Sequence, residues 1–272
     1  LEILRAAIKK MELLDSFVDQ LENGFQEVLG GDLGNVPVFL RSDTNMEDLK
    51  EFTGAGLNLT IFNSVDKAKI LEGIKDVWAS PYTERSFKWR QKYLLNPENV
   101  YPSILVIPSV DVDYSGVLIT KGISSGTDQD LTVAFSRGAG GAVDGQAAEQ
   151  YLIKDSGGYT LLAPARERFY NVLPETGGTE KKIATFQDRV LKERNISEIR
   201  DLARTIRERV PKETNSDYQG AFDVELGFKD NKLWLFQIRP FVENKRALGS
   251  SYLESITPKI DLEKRISLSK KL

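Results

Sequence analysis

Two carboxylates and a glutamine–arginine pair stand close together in the segment Gly220–Pro240, which reads GAFDVELGFKDNKLWLFQIRP. Asp223 and Glu225 alternate with apolar residues, which places both carboxylates on one side of a predicted β-strand. Mg²⁺ usually combines one or two carboxylates with substrate phosphates, and the planar donors of Arg239 match a phosphate. The segment therefore offers ligands for a metal and a polyphosphate. Taken alone, the alternation favours a simpler interpretation, an amphipathic hairpin with a solvated polar face, because any half-exposed strand shows it.

The length of the hairpin loop decides which side chains meet, because facing residues of an antiparallel pair share one face of the sheet. A two-residue loop mixes the carboxylates with apolar residues. An odd-length loop, Asp230–Lys232, places Glu225 opposite Gln237. The same loop places Asp223 opposite Arg239. We predict the odd-length loop, since only this register separates polar from apolar side chains. Its apolar face would comprise Phe222, Val224, Leu226, Phe228, Trp234, Phe236 and Ile238.

A second segment, Val36–Thr60, combines an apolar strand, the dipeptide Arg41-Ser42, an acidic loop and the small-residue run Thr53-Gly54-Ala55-Gly56. Small residues allow a backbone to approach a ligand closely. Together with the D-x-E and Q-x-R-P motifs of the hairpin, this segment resembles the nucleotide-binding domain of the phosphoenolpyruvate synthase and pyruvate phosphate dikinase family, which has an ATP-grasp fold. The resemblance runs from about Val36 to Glu243. Each motif is short, and their common order over one domain's length makes the resemblance specific.

The resemblance implies which residues of this sequence would contact ATP and Mg²⁺. ATP would lie in a cleft between two α+β subdomains, with Arg41 and Arg239 as the catalytic residues that hold its phosphates. Phosphoryl transfer needs positioning and charge neutralisation more than covalent help, so arginines, Mg²⁺ and backbone amides suffice. The small-residue run would close over the phosphates as a mobile lid, through Thr53, Gly54, Ala55 and Gly56. The implied metal ligands are Glu225 and Gln237, with Asp223 beside them.

A glycine run, Gly138, Gly140 and Gly141, follows a predicted strand, as phosphate-binding loops do. The run lacks the lysine and the following helix of a Walker-type loop, which argues against that class. We nevertheless count Gly138 and Gly140 among the candidate nucleotide-binding residues. In the resembled family this position reads G-x-G-E. Gly141 replaces the acidic residue here, and any ribose or metal contact of that residue is therefore missing.

Several parts of the family's apparatus have no counterpart in this sequence. The resemblance implies a glycine-rich segment with a phosphate-binding lysine, and nothing ahead of Val36 matches it. A swivel domain with a phosphohistidine and a pyruvate-binding domain are also missing. We therefore expect a fragment or a shortened relative of a dikinase-type phosphotransferase (kinase), which by itself binds ATP weakly if at all and completes no reaction. The expected divisions are a helical segment over 1–35, the nucleotide-binding domain over 36–245, and a tail or linker over 246–272.

An alternative from another class is a non-catalytic module that senses a nucleotide or holds a protein partner on the same fold. Gly141 and the missing lysine segment favour this module. The intact D-x-E and Q-x-R motifs favour the enzyme. A histidine-bearing swivel domain elsewhere in the same gene would decide between the two.

Composition excludes several other functions. The chain of 272 residues contains no cysteine and no histidine, which rules out disulfides, thiolate nucleophiles, zinc–thiolate sites and a phosphohistidine within it. The formal net charge is −3, so there is no general electrostatic attraction for nucleic acid or an anionic membrane. No apolar run is long enough to span a bilayer, and the start of the chain is not a secretory signal. We expect a cytoplasmic protein.

The order of predicted elements indicates the fold class. Short apolar strands follow one another between residues 103 and 163, without the long alternating helices of a doubly wound fold. We predict an α+β fold, a partial ATP-grasp-like domain, with a mixed or antiparallel sheet and flanking helices. Helical periodicity predicts helices over Thr179–Arg194 and over Ser197–Val210, with Ser197 as an N-cap and Pro211 as the helix stop.

Overall fold

A computed structural model describes residues 1–46, 59–141, 145–214 and 217–243, together with the backbone of 48–49 and 52–53. The chain divides into two compact units, Leu1–Phe241 and Val242–Leu272. Every element below belongs to the first unit. Within the described parts of the chain, no helix combines the length and the hydropathy that crossing a bilayer requires.

A three-stranded antiparallel sheet with flanking helices forms the first layer. Its strand order is β4-β1-β5. Val38 and Leu40 alternate toward the helices and are fully buried, packing with Phe25, Ile70 and Ile74. The elements of this layer are α1 (Glu2–Lys10), α2 (Asp15–Gly24) with a π-helical turn (Phe25–Leu29), β1 (Val38–Thr44), β4 (Thr60–Ser64), α3 (Lys67–Ala79), a 3₁₀ turn (Ser80–Tyr82), α4 (Glu84–Tyr93) and β5 (Pro102–Pro108), with the short pair β2 (Asp48–Leu49) and β3 (Phe52–Thr53) between β1 and β4.

A six-stranded antiparallel sheet forms the second layer, in the order β13-β12-β6-β7-β8-β9. Helix α5 covers one face of it through Ile199, Ala203 and Ile206, which pack against strand residues such as Val133 and Val224. The opposite face carries Asp223 and Glu225, because side chains alternate along a strand. The elements are β6 (Tyr114–Ile119), β7 (Leu131–Arg137), β8 (Glu149–Ile153), β9 (Tyr159–Ala163), α5 (Glu193–Glu213), β12 (Phe222–Lys229) and β13 (Lys232–Pro240).

A two-stranded ribbon, β10 (Phe169–Val172) with β11 (Glu180–Ile183), connects the two layers. Its tip is tied to the first sheet by Asn63, whose side-chain amide donates to the carbonyl oxygens of Pro174 (2.8 Å) and Gly178 (3.0 Å). Its base meets the second sheet, where the amide of Ala139 donates to the carbonyl of Asn171 at 2.9 Å. Phe39, Val112, Ala139 and Leu173 form a small apolar cluster at this junction.

The predicted α+β class with antiparallel sheets is confirmed, since every pairing between the strands above is antiparallel. The helix predicted over Thr179–Arg194 is wrong, because residues 180–183 pair with β10 as strand β11. The predicted limits of the next helix are also wrong. Helix α5 begins at Glu193, ahead of Ser197, and contains Pro211. Pro211 lies in the last turn, where losing one amide donor interrupts little of the helix.

Candidate functional site

The hairpin β12–β13 brings the four predicted polar residues together in pairs. Asp223 faces Arg239 and Glu225 faces Gln237 across the two strands. These are the pairings that the separation of polar from apolar side chains predicts. Facing residues share one side of a sheet, so all four side chains stand on the face of the six-stranded sheet that α5 leaves uncovered.

The loop that produces this register differs from the prediction. Lys229 faces Lys232, so the loop has two residues, Asp230 and Asn231, with φ values of 51° and 60°. Positive φ at both positions is the type I′ geometry, whose twist matches the flanking strands. The odd residue is Phe236, which forms a bulge between the pairs Glu225–Gln237 and Leu226–Leu235. The odd-length loop is therefore wrong, and a β-bulge makes the register shift instead.

The bulge also changes which apolar residues share the core face. Leu233 and Ile238 pack against the core beneath α5, whereas the predicted residue Trp234 does not. Phe236 packs instead on the cluster around Phe39 at the junction with the first sheet. Gly227 makes room for this arrangement, since a Cβ there would lie 3.1 Å from the Phe236 ring.

Arg41 reaches the hairpin from β1 of the other sheet. Its Nη2 donates to Oε1 of Gln237 at 2.7 Å, and its Nη1 lies 3.0 Å from Oε2 of Glu225. The Arg41 and Glu225 side chains are 20% and 16% exposed. One guanidinium therefore spans two oxygens that the resemblance gives to Mg²⁺, and it joins both layers at this point.

Arg239 and Asp223 form a second ion pair on the same face. Nε and Nη2 of Arg239 both donate to Oδ2 of Asp223, at 2.9 and 2.7 Å. The other carboxylate oxygen, Oδ1, is buried and accepts no hydrogen bond from the described residues. A buried acceptor without a donor is unfavourable, so this oxygen is suited to a cation or a ligand donor.

The charges of the described side chains at the site balance, with two carboxylates against two guanidiniums. Across the described residues, no group of three or more aspartate, glutamate, histidine or cysteine side chains is arranged to hold a metal ion. A cation here would depend on Asp223, Glu225 and Gln237, together with oxygens from a ligand. Mg²⁺ is commonly bound by one or two carboxylates together with phosphates of the substrate, so these residues fit that ion.

The glycine loop after β7 uses its amides within the protein. The amide of Gly138 donates to the carbonyl of Asp113 at 2.8 Å. Ser115 Oγ donates to the carbonyl of Gly138 at 2.7 Å and accepts from the amide of Gly140 at 3.0 Å. Gly138 has φ +68°, and a Cβ there would lie 2.0 Å from the carbonyl oxygen of Asn171. Contact of this loop with a nucleotide stays a prediction.

The predicted small-residue lid lies largely outside the described residues. Gly54, Ala55 and Gly56 are not among them, and the backbone of Thr53 pairs with Asp48 in the strands β2 and β3. The role of this run, and its mobility, stay predictions. Sequence reasoning missed Ser115, whose hydroxyl forms hydrogen bonds with the glycine loop. A lone serine within a strand gives no signal of its partners.

Comparison with known proteins assigns the chain to a family. Residues 2–257 match the family model described as pyruvate phosphate dikinase, AMP/ATP-binding domain. The chain belongs to this family. It is an ATP-binding domain of the kind found in phosphoenolpyruvate synthases and pyruvate phosphate dikinase-like phosphotransferases, and the family resemblance of its two motif segments is confirmed.

Three relatives show the extent of the similarity. A probable phosphoenolpyruvate synthase of Pyrococcus horikoshii is 26% identical over 258 residues, covering 89% of this chain and 30% of the relative. The phosphoenolpyruvate synthase of Pyrococcus furiosus is 25% identical, covering 94% and 32%. A rifampicin phosphotransferase of Bacillus cereus is 29% identical over 208 residues, covering 74% and 23%. The chain thus spans about a third or less of the length of these relatives.

Proposed function

We propose that this chain binds ATP together with Mg²⁺, on an ATP-grasp-like fold, and positions the nucleotide phosphates for transfer within a larger phosphotransferase. One observation carries the proposal. Arg41 extends from one sheet to Glu225 and Gln237 on the other, so oxygens suited to a metal and guanidiniums suited to phosphates converge between two α+β layers. The Arg239–Asp223 pair beside them supplies a second guanidinium for phosphate and a further carboxylate for the metal.

Each residue has a separate role in this proposal. Arg41 and Arg239 bind phosphate oxygens through planar, two-pronged donors. Glu225, Gln237 and Asp223 supply oxygens for Mg²⁺, which when bound neutralises charge on the phosphates. Asp223 also positions Arg239, because it accepts two hydrogen bonds from that guanidinium on its Oδ2.

The packing around the site holds these side chains in place. The bulge residue Phe236 and the β1 residue Phe39 belong to one apolar cluster between the sheets. Phe236 directly precedes the site residue Gln237 on β13, and Phe39 lies two positions before the site residue Arg41 on β1. This packing sets the separation of the two strands, and a site supported by regular elements keeps its geometry better than one built on loops.

The phosphoryl acceptor is left open in the proposal. The relatives are named for phosphoenolpyruvate synthesis in one case and for rifampicin in another. Swivel and acceptor-binding domains, including a pyruvate-binding domain, are the partners we propose within the longer protein.

Binding of the magnesium complex of AMP-PNP, a non-hydrolysable ATP analogue, tests the proposal. Calorimetry at high protein concentration should detect weak binding, of about millimolar Kd or about −4 kcal/mol. Glu225→Gln should lose it, since the metal loses a charged ligand. Glu167→Gln, at a buried carboxylate paired with Arg137, is the matched control and should bind as the wild type does. Equal binding by the Glu225→Gln variant and the wild type, or no binding by the wild type, would overturn the proposal.

A further inference from the structure

We infer that Arg41 makes this site selective for a metal–nucleotide complex over a free divalent cation. The inference rests on the proposed function. It goes further, because it assigns Arg41 a role in excluding the wrong ligand as well as in binding phosphate. The observations that carry it are the contacts of Arg41 with the proposed metal ligands.

Arg41 holds the oxygens that a metal would use. Its guanidinium lies 2.7 Å from Oε1 of Gln237 and 3.0 Å from Oε2 of Glu225. A metal that binds these oxygens therefore competes with Arg41 for them. Without a nucleotide, the guanidinium has no phosphate to move to, and its positive charge opposes a cation approaching the same oxygens.

A nucleotide without a metal is also poorly matched to the site. If Arg41 turns to a phosphate, the Glu225 carboxylate loses its partner at a position only 16% exposed. A largely buried carboxylate without a counter-charge is strongly unfavourable. The phosphates would add further negative charge beside it and beside Asp223.

The two ligands together satisfy every group. Arg41 would donate to phosphate, and Glu225 and Gln237 would coordinate the metal. Asp223 would keep its contact with Arg239 through Oδ2, and its second oxygen, which has no donor among the described residues, would be available to the ligands. Arg41 thus exchanges a carboxylate for a phosphate. By linkage, metal and nucleotide raise each other's affinity by the same factor.

Binding of Mn²⁺, measured by the electron paramagnetic resonance signal of the free ion, tests this exchange without requiring activity. The wild type should bind Mn²⁺ alone weakly. After subtraction of the Mn²⁺ that AMP-PNP binds in a protein-free titration, AMP-PNP should raise the Mn²⁺ affinity of the protein by about 5- to 150-fold, the usual range of coupling between ligands. Arg41→Gln should bind Mn²⁺ alone more tightly than the wild type, because the carboxylates lose their competing cation. It should also lose the coupling to AMP-PNP.

Arg137→Gln is the matched control, because Arg137 forms a similarly buried ion pair, 2.9 Å from Glu167. It should leave Mn²⁺ binding unchanged. Circular dichroism checks the fold of each variant. If Arg41→Gln does not fold, Arg41→Lys replaces it and should also gain Mn²⁺ affinity, since an ammonium lacks the planar fork that holds both oxygens.

Unchanged or lower Mn²⁺ affinity in the Arg41 variant overturns the inference. Equal Mn²⁺ affinity of the wild type with and without bound AMP-PNP overturns it as well. The measurement on Mn²⁺ alone involves no nucleotide, so it tests the inference separately from the proposed function. Absence of any nucleotide binding by the wild type instead overturns the proposed function.

Discussion

Carboxylates with little exposure have two different uses in this protein. Glu225 faces an arginine from another sheet at the candidate site. Glu149 is 3% exposed and accepts hydrogen bonds from the Tyr151 hydroxyl (2.8 Å) and from the amides of Val190 (3.1 Å) and Leu191 (3.0 Å). Burial, and then the bond to Glu149, raise the pKa of Tyr151, so this tyrosine remains a donor. Glu149 thereby fixes the chain just before α5.

Replacing Glu149 by alanine should destabilise the fold. The substitution leaves two buried amides without an acceptor, which costs about 2–5 kcal/mol in the free energy of unfolding. Urea denaturation measures this difference. Glu180→Ala, on the exposed strand β11, is the comparison and should change the stability by less than about 0.5 kcal/mol. Similar stability of the two variants would show that Glu149 has no such role.

The residue types at the site are largely readable from the sequence, but their partners are not. Alternation along two strands predicts that Glu225 faces Gln237, and this pairing is present. The contact from Arg41 to Gln237 spans 196 positions. Local periodicity carries no information about it, because it depends on how the two sheets pack.

At the scale of elements, the pairing predicted for the hairpin is correct although the loop length predicted for it is wrong. Separation of polar from apolar side chains fixes which residues face each other. It does not decide whether the odd residue lies in the turn or in a bulge. The structure places it at Phe236, where the ring fills the junction between the sheets. The helix predicted over 179–194 fails for a related reason, since pairing with β10 outweighs local propensity.

Gly227 should be essential for the bulge. A Cβ at this position would lie 2.9 Å from Val112 Cγ1 and 3.1 Å from the carbonyl oxygen of Tyr114. Gly227→Ala should lower the free energy of unfolding by about 1–3 kcal/mol, because backbone atoms cannot move aside easily. Gly24→Ala in α2, where a Cβ meets nothing within 4 Å, should instead gain up to about 1 kcal/mol. Thermal unfolding of both variants checks the contrast, and a stable Gly227 variant would contradict it.

At the scale of the whole molecule, three features of the described residues join the two antiparallel layers. These are the cluster around Phe39 and Phe236, the Asn63 anchor of the ribbon, and the contacts of Arg41. Family membership rests on nearly the whole chain. The chain covers 30% of its relative in Pyrococcus horikoshii. We therefore propose that the complete reaction requires a longer protein.

The central claim, that metal and nucleotide bind between the two sheets, is tested most directly by paramagnetic broadening of amide signals with Mn²⁺ and AMP-PNP at saturating concentrations. The signals of Arg41, Asp223, Glu225 and Gln237 should broaden. Those of β9 should broaden far less, because four strand spacings, about 19 Å, separate β9 from β12. Broadening that spares Glu225 and Gln237 while affecting β9 or α5 would contradict the account.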